Sequence, residues 1–307
     1  MSLSEMQKNL LKEVAGLEKI PTGAFNIRVD GELNSRNTTA NVDIITKQDK
    51  QGIDIVIKPF TKNERVDIPV LITKSGINDL VYNDFYIGEG SDVVIVAGCG
   101  ICNTGHTKSE HDGIHAFYVG KNAKVKYIEK HYGDGDGLGE KVLNPTTLIE
   151  IDEGGYLEME TAQIKGVDSS FRKTTAKLKD NATLIIRENI MTHGKQIADT
   201  DFYVELNGEN SSTHVISRSI AKDNSHQKFV SNINGNNKCS GHTECDAIIM
   251  NNGTVTAEPR INANHIEASL IHEATIGKIA GDQLTKLMTL GLTEKEAEEQ
   301  IVNGFLR

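Results

Sequence analysis

A short polar turn between two β-like runs recurs along this chain, and its spacing limits the available folds more than any other feature. Ile87-Gly-Glu-Gly-Ser-Asp-Val-Val is followed by Val119-Gly-Lys-Asn-Ala-Lys-Val, Ile151-Asp-Glu-Gly-Gly-Tyr-Leu, Leu178-Lys-Asp-Asn-Ala-Thr-Leu and Leu206-Asn-Gly-Glu-Asn-Ser-Ser-Thr-His-Val. The turn residues Gly90, Asn122, Gly154, Asn181 and Asn210 recur after 32, 32, 27 and 29 residues. Gly and Asn tolerate the positive φ that such turns demand. A degenerate repeat of this length, built of short strands without helices between them, predicts a β-solenoid, in which each coil buries a thin apolar stripe against its neighbours. A β-sandwich would explain the strands but gives no reason for evenly spaced turns.

Composition suits that reading. Among 307 residues only 37% are hydrophobic and 5% aromatic, with no Trp, as expected of an elongated all-β body packed from small β-branched side chains. Asn41-Val-Asp-Ile-Ile-Thr, Ile53-Asp-Ile-Val-Ile and Asp92-Val-Val-Ile-Val alternate as strands do. At the N-terminus, Leu3, Met6, Leu10, Leu11, Val14 and Leu17 form one apolar helical face over residues 3–18, stopped before Pro21. Near the other end a helix is expected from Ala280 to Leu290, with Asp282 as N-cap and Gly291 as the C′ residue. Thr293 and Glu296 make a capping box that opens a last, highly charged helix through about Val302. The expected division is a helix in 1–20, a β-helix core in 21–264 and a helical segment in 265–307.

A net charge of -10 argues against nucleic acid as a partner, because phosphate contacts need clustered Lys and Arg. No apolar run approaches the roughly 18–20 residues of a membrane span, and residues 1–10 lack a signal-peptide core, so a cytoplasmic protein is expected. In a reducing compartment four Cys point to metal binding or thiol chemistry ahead of disulfides. No phosphate-binding G-x-x-x-x-G-K-[ST] loop, G-x-S-x-G elbow or H-E-x-x-H helix is present, so neither nucleotide hydrolysis nor the corresponding hydrolase chemistries are signalled.

Two regions concentrate metal-ligating side chains. Cys99-Gly-Ile-Cys102 precedes His106, Glu110, His111, Asp112 and His115. Two thiolates at that spacing can clasp one ion, and a glycine-rich turn holding buried thiols accounts for the pattern equally well. The second region runs through Cys239, His242, Glu244, Cys245 and Asp246 to His265, Glu267, His272 and Glu273. Thiolates and imidazoles are the usual ligands of iron–sulfur clusters, and so many within one stretch point to a metal or sulfur role.

This C-terminal half closely resembles the SufB/SufD family of iron–sulfur assembly scaffolds. The resemblance rests on Glu244-Cys-Asp-Ala-Ile-Ile-Met, Ile271-His-Glu-Ala-Thr-Ile-Gly-Lys-Ile, Asp282-Gln-Leu, Gly291-Leu-Thr-Glu-Lys-Glu-Ala and Ile301-Val-Asn-Gly-Phe, and it extends over roughly residues 85–307. It implies a right-handed parallel β-helix flanked by helices. It also implies a non-catalytic scaffold that pairs through its β-helix, as a homodimer or with a SufD-like paralogue. A SufC-type ABC ATPase would dock on the C-terminal helices, and apo iron–sulfur proteins would receive the product. Cys245 falls on the family's sulfur-acceptor position, and His272, with Glu273 beside it, on the proposed cluster-ligand position. The cluster, 4Fe–4S or 2Fe–2S, would be held transiently. Cys239 is a further candidate ligand, as are Cys99, Cys102 and His106 for metal. Departures are Ile271, where long bacterial SufB carries an acidic residue, and the second thiol of the Cys99–Cys102 pair.

Two other readings compete. A structural zinc or interaction solenoid would use Cys99, Cys102 and His106 for stability alone. A polysaccharide-acting β-helix enzyme would use Asp199, Asp201 and Arg218, although the chain has no Trp to stack on sugar.

Overall fold

The computed structural model describes residues 3–306. A helix, α1 (Glu5–Ala15), precedes twenty strands. The first ten are β1 (Ala24–Val29), β2 (Glu32–Asn37), β3 (Val42–Thr46), β4 (Gly52–Ile57), β5 (Lys62–Ile72), β6 (Asn78–Ile87), β7 (Asp92–Cys102), β8 (Ser109–Val119), β9 (Lys124–Asp134) and β10 (Lys141–Leu143). There follow β11 (Thr146–Ile151), β12 (Tyr156–Lys165), β13 (Ser169–Leu178), β14 (Thr183–Thr192), β15 (Ile197–Leu206), β16 (Ser211–Ala221), β17 (His226–Gly235), β18 (Cys239–Ile249), β19 (Thr254–Ala263) and β20 (Ser269–Lys278). Helices α2 (Gly281–Thr289) and α3 (Glu294–Phe305) close the chain.

From β4 onward successive strands alternate between two sheets, except that β10 and β11 follow one another in the same sheet, and each pairs in parallel with the strand one coil away. One sheet runs β2-β1-β5-β7-β9-β12-β14-β16-β18-β20 and the other β19-β17-β15-β13-β10-β8-β6-β4-β3, with β11 also bridging β8 and β13. Among the described residues only the β1–β2 and β3–β4 hairpins at the N-terminal end are antiparallel. This is the expected β-solenoid, of about eight turns.

The five turn residues read from the repeat all adopt left-handed backbone, with φ of 65° at Gly90, 54° at Asn122, 67° at Gly154 and 57° at both Asn181 and Asn210. They stack as a ladder along one edge. Each N–H reaches the next coil: Gly90 donates to the Lys121 carbonyl (2.9 Å), Asn122 to Glu153 (3.0 Å), Gly154 to Asp180 (2.9 Å), Asn181 to Glu209 (2.8 Å) and Asn210 to Lys238 (2.7 Å).

Between the sheets lies one thin core. Phe85 and Phe117 stack in register with ring centroids 4.4 Å apart, Tyr127 meets Phe117 edge-on, and Phe202 lies 5.8 Å from Phe229. Leu157, Leu184, Val204 and Val215 extend the stripe.

Ser4 and Gln7 form a capping box at the start of α1, and Gly16 ends it in the left-handed region. The helix is therefore shorter than the 3–18 periodicity predicts. Met6 is exposed, whereas Leu10, Leu11 and Val14 are buried on the outer face of the first sheet against Leu71, Val96 and Cys102. Two glycines of β7 permit the approach. A Cβ on Gly98 would lie 2.6 Å from the Val14 carbonyl oxygen, and one on Gly100 would lie 3.0 Å from Leu10 Cδ2.

The C-terminal part differs from expectation at its beginning. Residues 269–278 are not helical but form β20, in register with β18 from Ser240↔Ser269 to Ile249↔Lys278. Their alternation of side chains suits a further coil, and helix begins only at Gly281. Ala280, not Asp282, occupies the N-cap, with no side-chain cap bond. The Thr293–Glu296 capping box forms, and its helix continues to Phe305. Asn189 of β14 donates to the Leu306 carbonyl at 3.1 Å, which ties the end of α3 to the body.

Candidate metal and sulfur site at the end of the β-helix

On β18 the odd residues from Cys239 to Ala247 are buried and the even ones are not. Cys239, Thr243 and Cys245 therefore point into the solenoid, and His242, Glu244 and Asp246 point out. Cys245 lies in register between Ser217 of β16 and Ala274 of β20 and is almost wholly enclosed. Burial, with Glu188 and Asp246 nearby, pushes its thiol up to about 12. At neutral pH it is a thiol, so it ionises only when metal binding or transferred sulfur takes up the charge.

His272 of β20 is in register with Thr243, so it too faces inward, one inward position along from the residue that stacks on Cys245. Strand spacing and rise put the two Cα atoms roughly 8 Å apart. Both His272 ring nitrogens are shielded from solvent and have no hydrogen-bond partner. Burial and then His242 lower its pKa, which leaves a neutral imidazole suited to ligation. Glu273 faces the opposite way. It is in register with Glu244, and its Oε2 lies 3.6 Å from His242 Nε2. Adjacent positions on a strand cannot serve one side of a sheet, so Glu273 does not converge with Cys245 and His272.

The other thiols lie apart. Cys239 faces inward but sits six residues before Cys245, about 20 Å along an extended strand. Cys99 and Cys102 are three residues apart on β7, an odd separation that sends them to opposite faces. Cys99 packs inside with Val70 and Ile101, and Cys102 packs outside beneath α1. They cannot clasp one ion. His106 is exposed in the loop that follows.

Residue types alone did not reveal a buried polar run that leads along the interior towards Cys245. Asn83 Nδ2 lies 3.2 Å from His115 Nε2, and His115 Nδ1 lies 2.7 Å from the Tyr127 hydroxyl, which donates to Glu129 at 2.9 Å. Arg172 Nη1 donates to Glu129 at 2.6 Å, and its Nε lies 3.5 Å from Glu188. Glu188 accepts from Ser217 (3.0 Å) and Thr200 (3.2 Å). Burial opposes the charge of Glu129, but Arg172 and His131 overcome it and hold the carboxyl well below its usual range. Burial raises Glu188. The register Glu129↔Thr161↔Glu188↔Ser217↔Cys245 forms a single inward column across five strands. The signal in the sequence was polar residues at inward parity, as in Tyr127-Ile-Glu129-Lys-His131, legible only once strand phase is known.

Outside the sheet, His214 of β16 stands in register with His242, and its Nε2 lies 2.8 Å from Glu244 Oε1. His214 also escaped the sequence reading, lying one coil upstream of its partners. The polysaccharide reading loses its triad: Asp199 and Asp201 line a surface groove with Lys173, Lys228 and Arg260 on the second sheet, whereas Arg218 belongs to the first. Among the described residues no helix is long and apolar enough to cross a membrane.

The SUF system FeS cluster assembly, SufBD core domain, matches residues 80–305. The iron–sulfur cluster assembly SufBD family protein of Methanocaldococcus jannaschii is 32% identical over 76% of this chain and 74% of its own length. That of Archaeoglobus fulgidus is 32% identical over 79% of this chain and 65% of its own, and that of Pyrococcus horikoshii 27% identical over 96% and 92%. A solenoid whose last coils carry the Cys-Asp and His-Glu-Ala-Thr motifs, matched over most of its length by such relatives, belongs to the SufBD family of iron–sulfur cluster assembly proteins.

Proposed function

We propose that this protein is a non-catalytic cytoplasmic scaffold on which iron–sulfur clusters, its cargo, are built at Cys245 and His272 and then passed to apo-proteins. The observation that carries the proposal is the convergence of the two residues. A thiol and a neutral imidazole with two unpartnered nitrogens face inward on neighbouring strands of the last coils. Their separation suits a multinuclear cluster better than a single ion, and sulfur with nitrogen is a donor set such clusters accept. One chain offers too few ligands to complete a cluster. Both sheets end here at β19 and β20, whose outer edges have no partner strand among the described residues. A second copy, or a related subunit, pairing on these edges would bring its own Cys245 and His272 to the site.

Glu273, on the other side of the sheet, is outside this ligand set, and so are Cys239, Cys99, Cys102 and His106. The C-terminal helices are the proposed dock for a SufC-type ABC ATPase. α2 has no buried residue, and the exposed Met288 and Leu290 offer apolar surface to a partner. Iron binding at Cys245 displaces the thiol proton, so assembly releases one proton for each thiol engaged, whereas the neutral His272 imidazole ligates without releasing one.

Anaerobic reconstitution with iron and sulfide, in the presence of the cognate ATPase, tests the proposal. The wild type is expected to show cluster absorption near one cluster per dimer, and Cys245→Ala and His272→Ala to lose most of it. A cluster retained in full by Cys245→Ala would sink the assignment.

A further inference from the structure

We propose that the outer face of the last coils is a separate binding site for one divalent first-row transition ion, held by His214, His242 and Glu244. The three side chains project from neighbouring parallel strands on the side of the sheet opposite Cys245 and His272. The one available ligand atom from each lies within 4.8 Å of the other two. His214 Nε2 is 2.8 Å from Glu244 Oε1, and His242 Nδ1 is 3.6 Å from the same oxygen. Ligands at 2.0–2.1 Å around a tetrahedral ion stand about 3.3 Å apart, so these separations bracket what an ion needs and small side-chain shifts admit it.

The imidazoles are held ready for this role. In-register pairing stacks the His214 and His242 rings 4.8 Å apart and within 4° of parallel. His242 Nε2 is shielded from solvent and makes no hydrogen bond, and it faces the Glu273 carboxylate at 3.6 Å. With Nδ1 on a metal, the Nε2–H points at that carboxylate, the arrangement that orients many ligating histidines. This gives Glu273 a place as a positioning residue outside the cluster ligand set. Two imidazoles and one carboxylate suit zinc, iron, cobalt and their neighbours over Mg2+ or Ca2+, and three protein ligands leave a position open to water. The site does not depend on cluster assembly, because it uses none of the residues proposed for the cluster.

The test is titration of metal-free, full-length protein with Co2+ under anaerobic conditions. One equivalent should bind with visible d–d absorption and without sulfur-to-cobalt charge transfer, and Cys245→Ala should leave the spectrum unchanged. His214→Gln and His242→Gln should abolish the signal while keeping wild-type circular dichroism. Glu273→Gln should weaken binding about tenfold or more. Zn2+ should displace Co2+ and raise the melting temperature of wild type but not of His214→Gln. If a histidine variant unfolds, Glu244→Gln takes its place with the same expectation. Uptake indifferent to both His214 and Glu244, charge transfer lost in Cys245→Ala, or equal competition by Mg2+ would each overturn the site and leave the cluster proposal to its own experiment.

Discussion

His115 lies in the middle of the solenoid, and its burial sets how the fold responds to acid. Burial pushes its pKa down to about 4, an effect that the Glu129 carboxylate offsets only in part. His131 is lowered by burial in the same way. Unfolded histidine titrates near 6.5, so between pH about 6.5 and 4 the unfolded chain binds protons that the native chain refuses. The contribution to stability is complete above that window and is lost as pH falls through it, about 3 kcal/mol for His115 alone. Urea midpoints should be level above pH 7 and fall steeply towards pH 4.5, with a shallower slope in His115→Gln. A midpoint unchanged from pH 7 to 4.5 would contradict the neutral buried imidazole. Cys245 and His272 were legible as candidate site residues because family motifs fall on them. The polar column was not, because Glu129, Arg172 and Glu188 look like surface charges until strand phase turns them inward.

At the level of elements, the repeat was readable because a left-handed turn restricts residue choice almost to Gly and Asn, so Gly90 through Asn210 announced themselves. The final strand was not. Residues 269–278 carry the motif His and Glu and adjoin a strong capping signal, which drew the helical boundary too early. The Cys99–Cys102 spacing misled for a related reason: a two-residue gap suits a loop or knuckle, and on a strand it splits the pair across the sheet. The intervening glycines serve α1 instead. Gly98→Ala would press a methyl group to 2.6 Å from the Val14 carbonyl and 2.8 Å from that of Lys130, so the helix must lift. A loss of about 1–3 kcal/mol is expected, as in overpacked cores. Limited proteolysis between residues 16 and 23 should quicken, with the cluster absorption after reconstitution unchanged. Wild-type protease resistance would show that the helix does not depend on this close contact.

At the scale of the whole molecule, the two ends of the solenoid differ. The N-terminal end is closed by antiparallel hairpins and overlaid by α1, whereas the C-terminal end presents β19 and β20 as long edges bearing exposed Ile261 and Ile276. Such edges invite strand pairing. The proposed homodimer should therefore appear in analytical ultracentrifugation, and Ile261→Glu combined with Ile276→Glu should shift it to monomer. A wild type that stays monomeric at micromolar concentration would move the partner role to a related subunit.

The ladder of left-handed turns also makes the molecule a ruler. Each coil adds one strand spacing, about 4.8 Å, along the axis, with little change of direction. The distance from the α1 platform to the open end is therefore counted in whole coils. A relative that gains or loses one complete coil would carry its bound neighbours closer or farther in fixed steps, with the chemistry at the last coil left as it was.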